Sequence, residues 1–319
     1  MYIFTGGKTG GHIMPLISII KDLNDEVLFV GQLDSLEERL CKNNKISFLG
    51  YSKNKSKTKG ILKGYSEISK ALKKKAINAV IASGGFVSVP MCLYAIKNKI
   101  PLFLLEENVI LGDSNKLLYP FCKKLFLVYE LDKKRKKEII TGMPVRKMVE
   151  AKSTESYDVL VIGGSLGSKV LCEAALKLSE TYKTCLIAGS YSKDYVSNGN
   201  LNVIDFSNNI YTLMSKARVI IARAGASTAS EIFYLNKPFI CIPSMKTKGN
   251  HQYYNAKYFS DNGACILCLE KDIDKSLNTY VDNIINNEHM KINMYTAQAK
   301  LVNKNANKKI IEAIKENIN

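Results

Sequence analysis

No stretch of this 319-residue chain stays apolar for the roughly 18–20 residues that a bilayer-spanning helix needs. The N-terminus, Met-Tyr-Ile-Phe-Thr, lacks the basic start and long apolar core of a secretory signal and runs straight into glycines. A cytoplasmic protein is expected. Tryptophan is absent and histidine is scarce, at three residues. The eight cysteines are scattered; only Cys265 and Cys268 are close, with neither a second pair nor a histidine nearby. That excludes the usual zinc spacings and makes Cys-Ile-Leu-Cys a buried strand. Two nucleotide fingerprints are also missing. Gly-x-x-x-x-Gly-Lys-[Ser/Thr] does not occur, which argues against a P-loop enzyme, and Gly-x-Gly-x-x-Gly does not occur, which argues against a dehydrogenase.

Acidic residues are few beside basic ones, 29 against 46, for a net charge of +17. A nucleic-acid partner is one reading of such a balance. Against it, the arginines are only Arg39, Arg135, Arg146, Arg218 and Arg223, and the aromatics do not interleave with basic residues in a recognisable module. Abundant Asn, Ile and Lys with no Trp is what a coding bias toward A and T produces, so solvated lysine faces are the plain reading. A lysine-rich surface still favours an anionic leaflet or a polyanionic substrate. The basic segment 53–59 and the lysines near 70–75 are candidate contacts.

What is present is a core-forming chain, 46% apolar, long enough for about two domains. Short apolar runs alternate with amphipathic stretches. Strands are expected at Met1–Thr5, Glu26–Gly31, Ile46–Leu49, Ala79–Ala82, Leu102–Leu105 and Leu125–Tyr129, with helices at Ile13–Leu23, Ser35–Asn43 and Ile61–Lys75. Residues 51–60 read as a basic loop without periodicity. After a polar stretch, Glu150–Ser156, the plan restarts with a strand at Tyr157–Ile162 and a helix at Lys169–Ser179. Further strands are expected near 184–188, 201–205, 218–222, 238–242 and 264–268, and helices near 208–216, 226–235, 250–262 and 274–286. Residues 290–319 read as helical. Alternating strand and helix implies parallel sheets covered on both faces. The expected division is 1–148 and 149–304, with a last helix, about 305–319, folding back on the first domain.

Each half opens with a strand, a glycine loop and a helix: Gly6-Gly-Lys-Thr-Gly-Gly11 in the first, Gly163-Gly-Ser-Leu-Gly-Ser168 in the second. Missing Cβ atoms let backbone N–H groups approach an anion, and the helix N-terminus adds unpaired donors. One such loop also serves tight packing; two, each after the first strand of a half, point to a phosphate-bearing ligand. His12 follows the first loop at a helix start, where it is either a general base or a capping or packing residue; sequence alone leaves both open. Gly225-Ala-Ser-Thr-Ala-Ser-Glu231 places small hydroxyl residues at a helix start, for ligand oxygens or for capping by Ser227 or Thr228, and Glu231 could accept ribose hydroxyls. Asp272 and Asp274 read as helix capping rather than a metal pair.

In order along the chain, seven segments resemble the MurG family of N-acetylglucosaminyltransferases. They are Thr5–Pro15, Gly84-Gly-Phe-Val-Ser-Val-Pro90, Glu106-Glu-Asn108, Gly142-Met-Pro-Val-Arg146, Gly163–Gly167, Arg223–Glu231 and His251-Gln-Tyr-Tyr-Asn-Ala256. The resemblance implies the GT-B fold, an α/β class of two Rossmann-like domains with parallel sheets facing a cleft. It implies an inverting, β-1,4-forming hexosyltransferase that moves N-acetylglucosamine from UDP-N-acetylglucosamine to lipid I at the anionic inner membrane surface. No cofactor and no metal is implied. By motif, Thr9, Gly10 and Gly11 would lie by the sugar and diphosphate, and Asn108 would contact the sugar. Arg146, Ser165, the Ser207 backbone, Ala226, Ser227, Thr228, Ala229, Ser230, Glu231 and Gln252 would hold the nucleotide, and His12 would be the base. Leu105 stands where the family's His-Glu-x-Asn segment has histidine, Lys8 in a slot that is often glycine, and Met143 where Asn or Thr is usual. The alternatives are a diacylglycerol glycosyltransferase or UDP-N-acetylglucosamine 2-epimerase of the same fold, and, more distantly, a nucleic-acid-binding protein.

Overall fold

The computed structural model describes all residues except 132–134, 146–155, 165–166, 208 and 319. It divides into two compact units, Met1–Arg146 with Asn303–Asn319, and Lys147–Val302. The division expected at 148/149 lies outside the described residues.

The first unit carries β1 (Tyr2–Thr5), α1 (Gly10–Asp22), β2 (Val27–Gln32), α2 (Leu36–Asn43), β3 (Phe48–Tyr51), α3 (Lys57–Ala71), β4 (Ala79–Ala82), α4 (Val89–Lys97), β5 (Leu102–Glu106), α5 (Asp113–Leu118), β6 (Lys124–Leu127) and β7 (Glu138–Ile140). Every pairing is parallel, in the order β3-β2-β1-β4-β5-β6-β7. Strands buried on both faces need apolar residues at every position, so they read as short continuous runs rather than alternating ones. Successive side chains leave to opposite faces. Phe4, Phe29, Phe103 and Phe126 pack against α1, and Ile3, Val30, Val80 and Leu104 pack on the side of α3 and α4.

The second unit carries β8 (Tyr157–Ile162), α6 (Lys169–Leu178), β9 (Thr184–Ile187), β10 (Leu201–Ile204), α7 (Ile210–Ser215), β11 (Ala217–Ala222), α8 (Ala226–Tyr234), β12 (Phe239–Cys241), α9 (His251–Asp261), β13 (Ile266–Leu267), α10 (Ile273–Asn286) and α11 (Glu288–Leu301). Its parallel sheet runs β10-β9-β8-β11-β12-β13. The chain then returns to the first unit as α12 (Ala306–Glu316), whose Ile310 and Ile314 join the Phe4 side of that core. Asn307 fixes the return by donating from Nδ2 to Ser18 O, Ser18 Oγ and Asp22 Oδ2 at 3.2, 3.0 and 2.7 Å.

Several sequence expectations change. The basic stretch 51–60 is not a loop throughout: Tyr51 ends β3, and α3 begins at Lys57 behind Ser56, whose Oγ accepts from Lys59 N–H. Tyr51 is 1% exposed, with its hydroxyl donating to Val87 O at 2.6 Å. Strand β7 was not expected, because Glu138-Ile-Ile is too short to show a period. Asp272 does stand at the N-cap of α10 and Asp274 in its first turn, but Asp272 makes no side-chain cap bond and Asp274 meets Lys177 at 2.6 Å. The capping reading fails at α8, whose N-cap is Gly225, with Ser227 and Thr228 inside the helix. Cys265 and Cys268 flank β13 and are both buried.

Candidate functional site

In both sheets the strand order reverses between the first strand and the fourth: at β1/β4 in one unit and at β8/β11 in the other. Strands leaving such a point send their loops to opposite sides, which opens a crevice at their carboxyl ends where ligands of α/β proteins bind. Each glycine loop follows the first of these strands.

Within each loop the glycines divide the work. A Cβ on Gly6 would stand 2.1 Å from Ser83 Oγ, and one on Gly7 would stand 2.8 Å from Glu37 Oε1; both permit close packing. A Cβ on Gly10 would meet nothing within 4 Å. In the second loop Gly167, at φ +74°, would drive a Cβ to 2.5 Å from Ala188 O, whereas Gly164, at φ +83°, faces open space. So Gly10 and Gly164 leave room for a ligand and their neighbours hold the loop against the fold. Lys8 has φ +80°, a left-handed region that glycine enters freely and a side-chain-bearing residue enters at a cost, which suits glycine to that slot.

At the first loop Thr9 is the N-cap of α1, and its hydroxyl makes no cap bond. His12, in the first turn, is held by its backbone: Ser83 Oγ donates to His12 O at 2.5 Å. Its side chain is 26% exposed and its Nδ1 lies 3.4 Å from Glu107 Oε2, a carboxylate only 4% exposed. Burial, the largest influence on the ring, pulls its pKa down. The charges of Glu107 and then Glu106 push the other way against Lys8, and the net result lies above 6.5. Burial pushes the Glu107 carboxyl up, and His12 draws it back.

The Glu106-Glu-Asn108 segment leaves β5 with its two acids on opposite sides. Glu106, 2% exposed, accepts from Asn108 N–H and Nδ2 at 3.1 Å each, from Gly112 N–H at 2.8 Å and from Asn115 Nδ2 at 2.9 Å. It is a brace for the loop that carries Asn108. Glu107 turns to His12. Leu105 is fully buried in the core beside α1. Thr9, Gly10, Gly11, His12 and Asn108 are thus gathered at one end of one sheet.

In the second unit Arg223, just beyond β11, is the organising residue. It donates from Nη2 to Ser168 Oγ at 2.7 Å and from Nη1 to Ile242 O at 3.1 Å, and pairs with Glu270 Oε1 at 2.6 Å. This joins the glycine loop, the end of β12 and the turn before α10. Asn255, fully buried, donates to Ala224 O at 3.0 Å, and Gln252 Oε1 accepts from Ser244 N–H at 2.9 Å. Ser207 Oγ turns the chain into α7 by accepting from Asn209 N–H at 3.2 Å. On α7, Tyr211 donates from its hydroxyl to Glu231 Oε1 at 2.8 Å. Residues Ala226 to Glu231 form the opening turns of α8. Arg146 and Ser165 lie outside the described residues.

Sequence reading alone missed Glu107, Arg223 and Tyr211 as individuals. Arg223 had a signal, as an arginine directly after a buried strand and two residues before Gly225. Glu107 and Tyr211 had none, since their partners are 95 and 20 positions away. Among the described residues, no group of three His, Cys, Asp or Glu side chains could hold a metal ion, and no helix is long and apolar enough to cross a membrane.

A family model described as the glycosyltransferase family 28 N-terminal domain matches residues 2–127, and one described as the family 28 C-terminal domain matches residues 158–314. The chain is 34% identical over 298 residues to the UDP-N-acetylglucosamine--N-acetylmuramyl-(pentapeptide) pyrophosphoryl-undecaprenol N-acetylglucosamine transferase of Sulfurihydrogenibium sp. (strain YO3AOP1), covering 86% of each. It is 32% identical to the protein of the same name from Clostridium botulinum (strain Alaska E43 / Type E3), over 99% of this chain and 98% of that one. In fold it is similar to the crystal structure of Acinetobacter baumannii MurG, with a TM-score of 0.80 over 99% of both chains at 23% identity.

Proposed function

Because this chain belongs to the MurG family within glycosyltransferase family 28 and has its GT-B fold, we propose that it transfers N-acetylglucosamine from UDP-N-acetylglucosamine to lipid I, giving lipid II for peptidoglycan. The observation that carries this reading is the position of both glycine loops at the strand-order reversal of their own sheets, one with a paired histidine beside it. The second unit is the donor domain. The open face of Gly164 and the N-terminus of α6 receive the diphosphate, and Arg146, Ser165, the Ser207 backbone, Ala226 to Glu231 and Gln252 hold the nucleotide. The first unit is the acceptor domain, with Thr9, Gly10, Gly11 and Asn108 near the transferred sugar.

The MurNAc 4-hydroxyl oxygen forms a bond to the anomeric carbon as the bond from that carbon to the diphosphate oxygen breaks, and configuration inverts. His12 takes the hydroxyl proton. The leaving UDP carries growing negative charge, which backbone donors and the α6 dipole stabilise without reorganising. Transfer of labelled N-acetylglucosamine to a short-chain lipid I analogue tests the reading. Formation of UDP-N-acetylmannosamine with no disaccharide product would instead establish the epimerase alternative.

Glu231 is assigned to the ribose hydroxyls and Tyr211 to holding Glu231. Hydrogen bonds to a charged group are worth roughly 1.5–3 kcal/mol, so Glu231→Ala should raise donor KM about tenfold or more. Tyr211→Phe should raise it by roughly three- to fivefold, with kcat nearly unchanged. An unaltered donor KM in Glu231→Ala overturns the ribose assignment.

The lipid acceptor requires a docking face at the cytoplasmic side of the membrane. Leu62 on α3, Leu117 on α5 and Phe121 just after α5 are 58–65% exposed, on elements that pack against one side of the first sheet. Exposed Lys57, Lys59 and Lys63 lie on α3, Lys116 on α5 and Lys123 just before β6. Each basic residue near an anionic leaflet is worth ~1 kcal/mol. Replacing Lys116 and Lys123 by Gln should therefore weaken partitioning onto phosphatidylglycerol-containing vesicles about tenfold or more. Equal binding of the unaltered protein to neutral vesicles would remove the electrostatic role.

A further inference from the structure

We propose that Glu107 is the positioning residue of the transfer reaction: its carboxylate fixes the His12 ring through Nδ1 and stays ionised opposite the imidazolium formed when His12 takes the acceptor proton. The proposal rests on the assignment of His12 as the base and goes beyond it, to a residue that the His-Glu-x-Asn segment leaves unspecified.

Four observations support it. Glu107 Oε2 stands 3.4 Å from Nδ1, a buried nitrogen with no hydrogen-bond partner, so this charge contact is the interaction Nδ1 has and Nε2 is the ring nitrogen left for the acceptor proton. The carboxylate is 4% exposed, and its Oε1 is buried with no hydrogen-bond partner, so the interaction that remains to it is with His12. A carboxylate put there only for packing or solubility would have been neutral or exposed. Its neighbour Glu106 has both oxygens occupied by Asn108, Gly112 and Asn115 and cannot substitute. Finally, the backbone that carries the ring is anchored, since Ser83 Oγ donates to His12 O at 2.5 Å.

The step balances with these groups alone. The O–H bond of the acceptor breaks, its proton passes to His12 Nε2, the oxygen bonds to the anomeric carbon, and the bonding pair of the old C–O bond leaves with UDP. Glu107 neither gains nor loses a proton; it lowers the energy of the positive ring, as the carboxylate of a histidine-centred triad does. The charged groups facing the ring are Glu107 and Glu106, which favour its protonation, and Lys8, which opposes it.

The test is Glu107→Gln in the full-length protein, read two ways. NMR titration of the His12 ring should move to lower pH, corresponding to about tenfold weaker proton affinity. In the transfer assay kcat should fall about ten- to hundredfold with donor KM within twofold, and the acidic limb of the pH profile should move down with the titration. Glu107→Asp should recover part of both. An unmoved His12 titration overturns the pairing. A moved titration with unchanged kcat overturns the positioning role. His12→Ala with full turnover would refute the base assignment alone, because the Glu107→Gln titration reports on the pair whether or not the ring is the base.

Discussion

Replacing His12 by alanine should lower kcat for transfer about 10²–10⁴-fold, the range that a positioned general base supplies, and should leave UDP binding within about threefold. The separation follows from where the residue sits. His12 belongs to the loop and helix at the β1/β4 reversal of the first unit, whereas the residues assigned to the nucleotide, Arg146 aside, belong to the second. The segment that in the family supplies a histidine has Leu105, fully buried in the core beside α1. The variant also leaves the buried Glu107 carboxyl without its imidazole neighbour. That carboxyl, already raised by burial, loses the neighbour that draws it down, so its pKa should rise further. Folding must therefore be checked alongside activity, for instance by the midpoint of urea unfolding. Near-normal turnover in a folded His12→Ala protein would remove the residue from the chemistry.

The alternation of strands and helices was legible because every parallel strand buried on both faces is a short apolar run, and turns between runs carry glycine or polar residues. Ala79–Ala82 and Tyr157–Ile162 are read to the residue. The site was legible only as loops. Glycine shows in sequence because backbone geometry alone demands it, and so both loops stood out, together with the histidine beside one of them. What each glycine does was not visible: Gly6 is set by Ser83, 77 positions away, and Gly167 by Ala188. Ion pairs and side-chain bridges are fixed by the fold and not by spacing, which is why Glu107, Tyr211 and the three connections of Arg223 appear only in three dimensions. Lys8 shows the reverse case. Its sequence position looked like a substitution for glycine, and its φ of +80° gives the physical reason that glycine suits the slot.

The other large effect should come from Glu106→Ala, and it should be a loss of stability first. Glu106 accepts four hydrogen bonds at 2.8–3.1 Å while 2% exposed. Truncation takes that acceptor from donors of Asn108, Gly112 and Asn115, of which the buried Asn115 Nδ2 keeps a bond to Leu105 O at 3.0 Å. Hydrogen bonds to a charged group contribute roughly 1.5–3 kcal/mol each, less where the donor can reach water. The losses overlap because the groups share one brace, so a total of roughly 3–5 kcal/mol is expected. Against a native stability of about 5–15 kcal/mol, the urea midpoint should drop steeply. Glu106→Gln keeps the volume and one acceptor oxygen but turns an NH₂ toward donors, so it should lose about half as much. Activity should fall with stability, since the loop carrying Asn108 loses its support. A Glu106→Ala protein as stable as the original would show that the loop holds itself. The comparison with Glu107→Gln then separates two acids adjacent in sequence. Change at Glu106 should move unfolding and transfer together, and change at Glu107 should move kcat and its pH limb while unfolding shifts far less.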